Sequence, residues 1–271
     1  MGRFVSYTLH CFTDVSSHSY LSIKITVLNI FYHTIAVFLY FALPQSCGKF
    51  LANMLPWIII MVKGGTNMAN LLCLGDSITD CGRFFSDSPL GDGYVRILSE
   101  KLKSAGMDYK ITNCGVDGFT VARLLENARN YLSIGGDIIT ILIGINDIGL
   151  MMNTGRSQEQ QKMMMSAFSR HYEDLLTKLM NPGRQIILME PFIFPWPAEY
   201  RNWILHVKTM SQEIEKLAGR YHLPYIFLHD CLNAEARRYG LDAITLDGIH
   251  LTTQGHEILA QKLMEVISQN G

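Results

Sequence analysis

From residue 68 onward the sequence predicts an α/β domain built on a parallel sheet of five strands with helices against it. Short apolar runs alternate with longer segments of helical period, five such runs recur between Asn70 and Phe227, and polar motifs stand where the runs end. Right-handed crossovers keep strands of this kind parallel, so their carboxyl ends share one edge of the sheet. Ligands and chemistry collect at that edge in α/β proteins.

The first strand is read at Asn70–Leu74, where the apolar run stops at Gly75 and the turn "GDSITD" follows. An apolar run halted by glycine and a small hydroxyl residue is a buried strand entering a tight turn, at which a helix can begin. A helix is expected near Gly93–Ser104, then a strand at Tyr109–Asn113 that ends in "NCGVDG". Helical period returns over Val121–Tyr131, a strand apolar but for Thr140 covers Ile138–Ile143 and ends in "GIND", and a long helix covers Ser157–Leu179. The fourth strand, Gln185–Glu190, leads into the aromatic loop "PFIFPWPAEYRNW". A helix over Glu199–Tyr221, a strand at Pro224–Phe227 and a last helix over Gln254–Ser268 complete the set. These elements make one domain of about 200 residues, without repeat or internal linker.

The chain of 271 residues carries 23 Lys and Arg against 24 Asp and Glu, a balance that offers no basic nucleic-acid surface. Its six cysteines, at 11, 47, 73, 81, 114 and 231, have neither C-x-x-C nor metal-ligand spacing, so neither a disulfide scaffold nor a zinc site is indicated. Residues 1–67 stand apart, holding only Arg3, Asp14, Lys24, Lys49 and Lys63 as charges. Within them the uncharged run at 25–43 approaches the roughly 20 residues that cross a bilayer. Asn29 and His33 interrupt it, basic residues flank both sides, and no signal-peptide cleavage site is evident. A different expectation comes from "KGGTNM" (63–68), which can be encoded as AAA-GGA-GGA-ACN-AAY-ATG, a bacterial ribosome-binding site ahead of a start codon. On that reading Met68 is the native start and the protein is cytoplasmic; on the alternative, residues 25–43 anchor it in a membrane.

Ser77, just past the first strand, is a candidate nucleophile, although a serine there commonly only caps a helix. A serine needs a base, and the base needs a group that fixes its tautomer. In "LDGIHLTTQGH", Asp247 precedes His250 by three residues in a glycine-containing turn, a spacing that lets the carboxylate fold back onto one imidazole nitrogen. The chain order Ser, Asp, His also suits α/β scaffolds. His256 is read as a capping or packing residue. Acyl transfer further needs donors for the developing oxyanion, and the N–H of Ser77, the N–H of Gly115 and the side-chain amide of Asn146 are the candidates. Each alone is equally well a turn residue.

Taken together, "GDSITD" (75–80), "NCGVDGFT" (113–120), "GIND" (144–147) and "DGIH" (247–250) resemble the SGNH hydrolases, the GDSL esterase/lipase family, over essentially all of residues 68–271. The resemblance implies a three-layer α/β/α sandwich of flavodoxin-like kind. It implies Ser77 as nucleophile, His250 as base and acid, Asp247 as its orienting partner, and Ser77, Gly115 and Asn146 as oxyanion donors, without metal or cofactor. Asp76 and Asp147 are taken as loop supports. Thr79 stands where the nucleophile elbow Gly-x-Ser-x-Gly has its second glycine, which argues for a more open site.

Within the family, "GDSITDCGR", "GDGYV" and "DGIHLTTQGHEILA" look most like bacterial carbohydrate acetylesterases of the acetylxylan esterase type, with Leu251 in place of the usual proline. The expected activity is hydrolysis of small acyl esters, foremost acetyl, on a carbohydrate. Trp196, Tyr200 and Trp203 are candidate faces for a sugar ring, and "IGLMMN" (148–153) is a second apolar flank. A lysophospholipase or thioesterase is the enzymatic alternative, and a non-catalytic carbohydrate-binding protein the alternative of another class. The expected partner is a small-molecule or oligosaccharide ester; nucleic acid is not expected, a membrane only through 25–43, and assembly into a homo-oligomer stays open.

Overall fold

The computed structural model describes residues 5–11, 21–27 and 68–270. The chain divides into two compact units, Met1–Asn67 and Met68–Gly271. In the first, β1 (Val5–Cys11) pairs antiparallel with β2 (Leu21–Val27). The apolar run at 25–43 begins in the last three residues of β2, and its remainder, 28–43, lies outside the described residues, as does 63–67. Among the described residues no helix is long and apolar enough to cross a membrane.

The second unit holds a sheet of β3 (Ala69–Gly75), β4 (Tyr109–Gly115), β5 (Ile138–Leu142), β6 (Gln185–Met189) and β7 (Tyr225–Ile226). All pairings are parallel and the order is β4-β3-β5-β6-β7. Leu71 to Leu74 and Ile139 to Leu142 are buried on both faces, as an unbroken apolar run requires of central parallel strands. The helices are α1 (Ser77–Asp80), α2 (Tyr94–Ser104), α3 (Val121–Glu126), α4 (Ala128–Ile134), α5 (Ile145–Asn153) and α6 (Gln158–Leu179). After the 3₁₀ turn Ala198–Asn202 come α7 (Ile204–Tyr221), α8 (His229–Tyr239), α9 (Leu241–Ile244) and α10 (Thr253–Asn270). They pack as two groups, α2 with α10 and α3, α4 and α7 with α6, the outer layers of a three-layer sandwich.

The chain runs from β3 to β4 on one side and then to β5 on the other, so the strand order reverses between β3 and β5. A crevice opens at such a switch point beyond the carboxyl ends of the strands. The register brings Gly75, Gly115 and Leu142 level there, and the loops that follow them face one another.

Several elements differ from the sequence expectation. The helix expected over Val121–Tyr131 breaks at Asn127, whose backbone (φ −88°, ψ 2°) leaves the helical region. The helix expected from Glu199 begins as a 3₁₀ turn, and the last strand shortens to two paired residues. Helices α5, α8 and α9 were not expected.

Candidate active site

Asp76, at the end of β3, caps α1: its Oδ1 accepts the Ile78 N–H at 3.1 Å. That capping places Ser77 at the first helical position, with no hydrogen-bond partner for its own N–H among the described residues. On the far side of the site, residues 244–252 form a small antiparallel turn. The Leu246 N–H and the Thr245 hydroxyl both donate to the His250 carbonyl at 2.8 Å, and the Gly248 N–H donates to the Thr245 hydroxyl at 2.8 Å. Leu251, where proline was expected, is buried and pairs across the turn with Thr245. Hydrogen bonds fix this turn without proline, and the leucine adds its side chain to the core.

Within that frame the Asp247 carboxylate folds back as its spacing predicts. Oδ1 accepts the N–H groups of Ile249 (2.9 Å) and His250 (2.7 Å), and Oδ2 stands 2.6 Å from His250 Nδ1. Burial works to raise the Asp247 pKa, but these hydrogen bonds outweigh it and hold the carboxyl below its usual range. An ionised Asp247 accepts a hydrogen bond from Nδ1–H, so Nε2 is the bare nitrogen, and Nε2 lies 2.9 Å from Ser77 Oγ. The structure therefore brings Ser77, His250 and Asp247, 173 residues apart in sequence at their extremes, into one hydrogen-bonded line.

Asp147 supports the neighbouring loop by accepting the Val121 N–H at 3.2 Å, at the start of α3. Burial raises both Asp76 and Asp147 to about 7.

Asn146 sits in the first turn of α5, and one of its amide protons goes to the Phe119 carbonyl at 2.9 Å, leaving the other unused. Gly115 does not behave as expected. Its N–H donates to Asn113 Oδ1 at 2.9 Å and so is already engaged. A side chain there would strike the backbone of α1, with a Cβ only 2.2 Å from Asp80 N. This glycine lets β4 approach the Ser77 turn, a packing role. The glycine three residues later differs: Gly118 is exposed, has φ +72°, has open space where a Cβ would stand and, among the described residues, has no partner for its N–H. It adjoins Phe119, the residue that holds Asn146. The sequence reading passed over Gly118, and also Asn113, whose buried amide ties β4 to the Thr79 (2.7 Å) and Leu90 (2.8 Å) carbonyls.

The aromatic candidates separate. Trp203 is only 6% exposed and packs on Gly149 of α5, so it is a core residue and offers no face to a sugar. Tyr200 packs at a tilt of 47° against Trp203, with 4.6 Å between ring centroids. Trp196 is 50% exposed, and its carbonyl lies against Gly248 so closely that no Cβ would fit. Of the three, Trp196 is the most exposed, while the ring set against Gly248 of the Asp247–His250 turn is that of the half-buried Tyr200. Among the described residues no group of three or more His, Cys, Asp or Glu is arranged to hold a metal ion.

A model of the GDSL-like lipase/acylhydrolase family matches residues 73–258. An acetylxylan esterase from Geobacillus stearothermophilus is 26% identical over 208 residues, which cover 73% of this chain and 93% of that relative. A crystal structure of an acetylxylan esterase from that organism superposes with a TM-score of 0.63 at 24% identity, covering 73% of this chain and 94% of the other. An α/β hydrolase enzyme from the metagenome of Lake Arreo, Spain, superposes with a TM-score of 0.66 at 20% identity, covering 74% and 95%.

Proposed function

Given that the chain belongs to the GDSL-like lipase/acylhydrolase family and is an acyl-ester hydrolase, we propose that it is a serine esterase acting through an acyl-enzyme, with short acyl esters of carbohydrates, foremost acetyl esters, as substrates. The observation that carries this reading is the 2.9 Å contact between Ser77 Oγ and His250 Nε2, with Asp247 on the other nitrogen. Nε2 takes the hydroxyl proton as Oγ attacks the ester carbonyl, and the imidazolium is stabilised by Asp247. The same proton then goes to the departing alcohol. Water, deprotonated in turn by Nε2, attacks the acyl-serine and releases the acid.

The carbonyl oxygen becomes an oxyanion in both steps. The donors proposed for it are the N–H of Ser77, the free amide proton of Asn146 and, in place of Gly115, the N–H of Gly118. The carbohydrate part of the reading is supported by the acetylxylan esterase relative and by two features of the chain. The side chains of His250 and Asp247 are 43% and 51% exposed, an open arrangement that leaves room for a bulky alcohol. Trp196, whose backbone lies against Gly248, is half exposed, and the Tyr200 ring borders the same turn. We further propose that Met68 is the native start and the protein cytoplasmic; glycine codons other than GGA at 64 and 65 overturn that reading.

The test is covalent. An organophosphonate is expected to add one adduct at Ser77, identified by peptide mass spectrometry, and Ser77→Ala is expected to lose both the adduct and the turnover of p-nitrophenyl acetate while keeping its circular dichroism. Turnover retained by the folded variant removes Ser77 from the mechanism. A panel of acetylated sugars against acyl chains of increasing length then separates an acetylesterase from a lipase.

A further inference from the structure

His256 lies in the first turn of α10, six residues past His250, and is 4% exposed. Both ring nitrogens are used, Nδ1 toward the start of α2 and Nε2 toward the end of α1, the turn that carries Ser77. Nδ1 accepts the backbone N–H of Tyr94 at 3.2 Å, at the start of α2, whose capping residue Gly93 has no side chain to do so. A nitrogen that accepts has no proton, so Nε2 carries it, and Nε2 faces Cys81 Sγ at 3.4 Å. Burial, which pushes His256 down to about 4, keeps the ring in this neutral form. Cys81 ends α1 in a left-handed conformation (φ 40°), and its N–H donates to the Ser77 carbonyl at 2.9 Å. The third partner is Gly93: a Cβ there would lie 2.9 Å from both Cys81 Sγ and His256 Cε1. The fold thus leaves out a side chain where imidazole and thiol meet.

We infer that His256 is a positioning residue for hydrolysis: it clamps the piece of chain that carries His250 to the turn that carries Ser77, and so sets the spacing between base and nucleophile. The inference rests on the reading of those two residues as the catalytic pair. The geometry gives it a short lever. From the imidazole, one helical turn leads through Cys81 to Ser77, and one rigid turn leads back to His250. Among the described residues no side-chain hydrogen bond joins the two segments other than Ser77–His250 and Cys81–His256.

The experiment measures kcat and KM for p-nitrophenyl acetate, and the rate of Ser77 labelling by an organophosphonate, in the full chain and in His256→Ala, Cys81→Ala and Cys81→Ser. Because displacements well below 1 Å at reacting atoms are costly, His256→Ala is expected to lower kcat and the labelling rate about 10-fold with KM within about twofold. Cys81→Ala is expected to lose about threefold, and Cys81→Ser, which keeps a partner for Nε2–H, to restore the rate. The double variant His256→Ala/Cys81→Ala is expected to be no worse than His256→Ala alone, since the two residues act through one contact. A folded His256→Ala protein with the parent kcat overturns the inference, as does a double variant whose losses multiply. If His256→Ala does not fold, the cysteine pair decides: equal kcat for Cys81→Ala and Cys81→Ser overturns it. Activity surviving in Ser77→Ala would instead overturn the serine mechanism, so the two failures are distinct.

Discussion

Asn146 has its amide fixed by the Phe119 carbonyl, which aims the remaining N–H rather than leaving it to rotate. A donor fixed before the reaction costs no reorganisation when charge appears, which is why such groups weigh so heavily in acyl transfer. Asn146→Ala is expected to lower kcat for p-nitrophenyl acetate by about 10²–10³ while KM changes little. Asn146→Asp, which puts a carboxylate where the donor stood, is expected to be at least as poor; a rate near the parent's in either variant excludes Asn146 as a donor. At this scale the sequence was most legible where a role depends on near neighbours. Asp247 and His250 lie three residues apart, so their pairing could be argued from spacing, and the structure adds only the distances. The choice between Gly115 and Gly118 could not be argued so. Both are glycines in one short loop, and what separates them is that Asn113 already holds one of the two N–H groups.

The same contrast holds for elements. Helix α6 carries its own start signal: the Ser157 hydroxyl accepts the Gln160 N–H and the Gln160 side chain accepts the Ser157 N–H. Its expected boundary fell within one residue of the observed one. Helix α8 has no such signal, because its cap comes from another strand. Glu190, buried just past the end of β6, accepts the N–H groups of Leu228 (2.7 Å) and His229 (2.8 Å) with one oxygen and the Ser211 hydroxyl with the other. Helix α2 is capped in the same manner by His256, from 162 residues away. Helices held by distant side chains cannot be read from local pattern, and α8 was missed for that reason. Its stability should therefore depend on Glu190. Glu190→Ala leaves two buried N–H groups unpaired, and a loss of about 3 kcal/mol or more in unfolding free energy is expected from urea denaturation, with Glu190→Gln recovering part of it. A change below about 0.5 kcal/mol for Glu190→Ala would mean that α8 is held by its apolar face alone.

For the whole molecule, the polar groups that shape the active edge are in part a burden on folding. Asp76 and Asp147 support the loops after β3 and β5, and burial raises both to about 7 from an ordinary value near 4. A carboxyl raised in the folded state binds its proton more tightly there than in the unfolded chain. Its stabilising share is complete below the unfolded value and is lost as pH climbs through the folded one, between about 4 and about 7. Asp247 is shifted the other way, and its share is lost only on the acid side, as pH falls through its lowered value. His256 and His229, pushed down by burial, work against the two aspartates, since an imidazole buried neutral loses stability as pH falls below its ordinary value near 6.5, but the two carboxyls are the larger share and the balance still falls from acid to neutral pH. The proposed chemistry favours the opposite direction, because His250 must be unprotonated at Nε2 to accept the serine proton. Stability and turnover are therefore expected to have different pH optima, the first below neutrality and the second higher. Urea denaturation of the full chain at pH 5 and pH 8 checks this: the midpoint should be lower at pH 8, and Asp147→Asn, which keeps an acceptor for the Val121 N–H without ionising, should narrow the gap. A midpoint that rises from pH 5 to pH 8, or a gap unchanged in Asp147→Asn, would show that these buried carboxyls do not govern the balance and that the loops at the sheet edge carry no such cost.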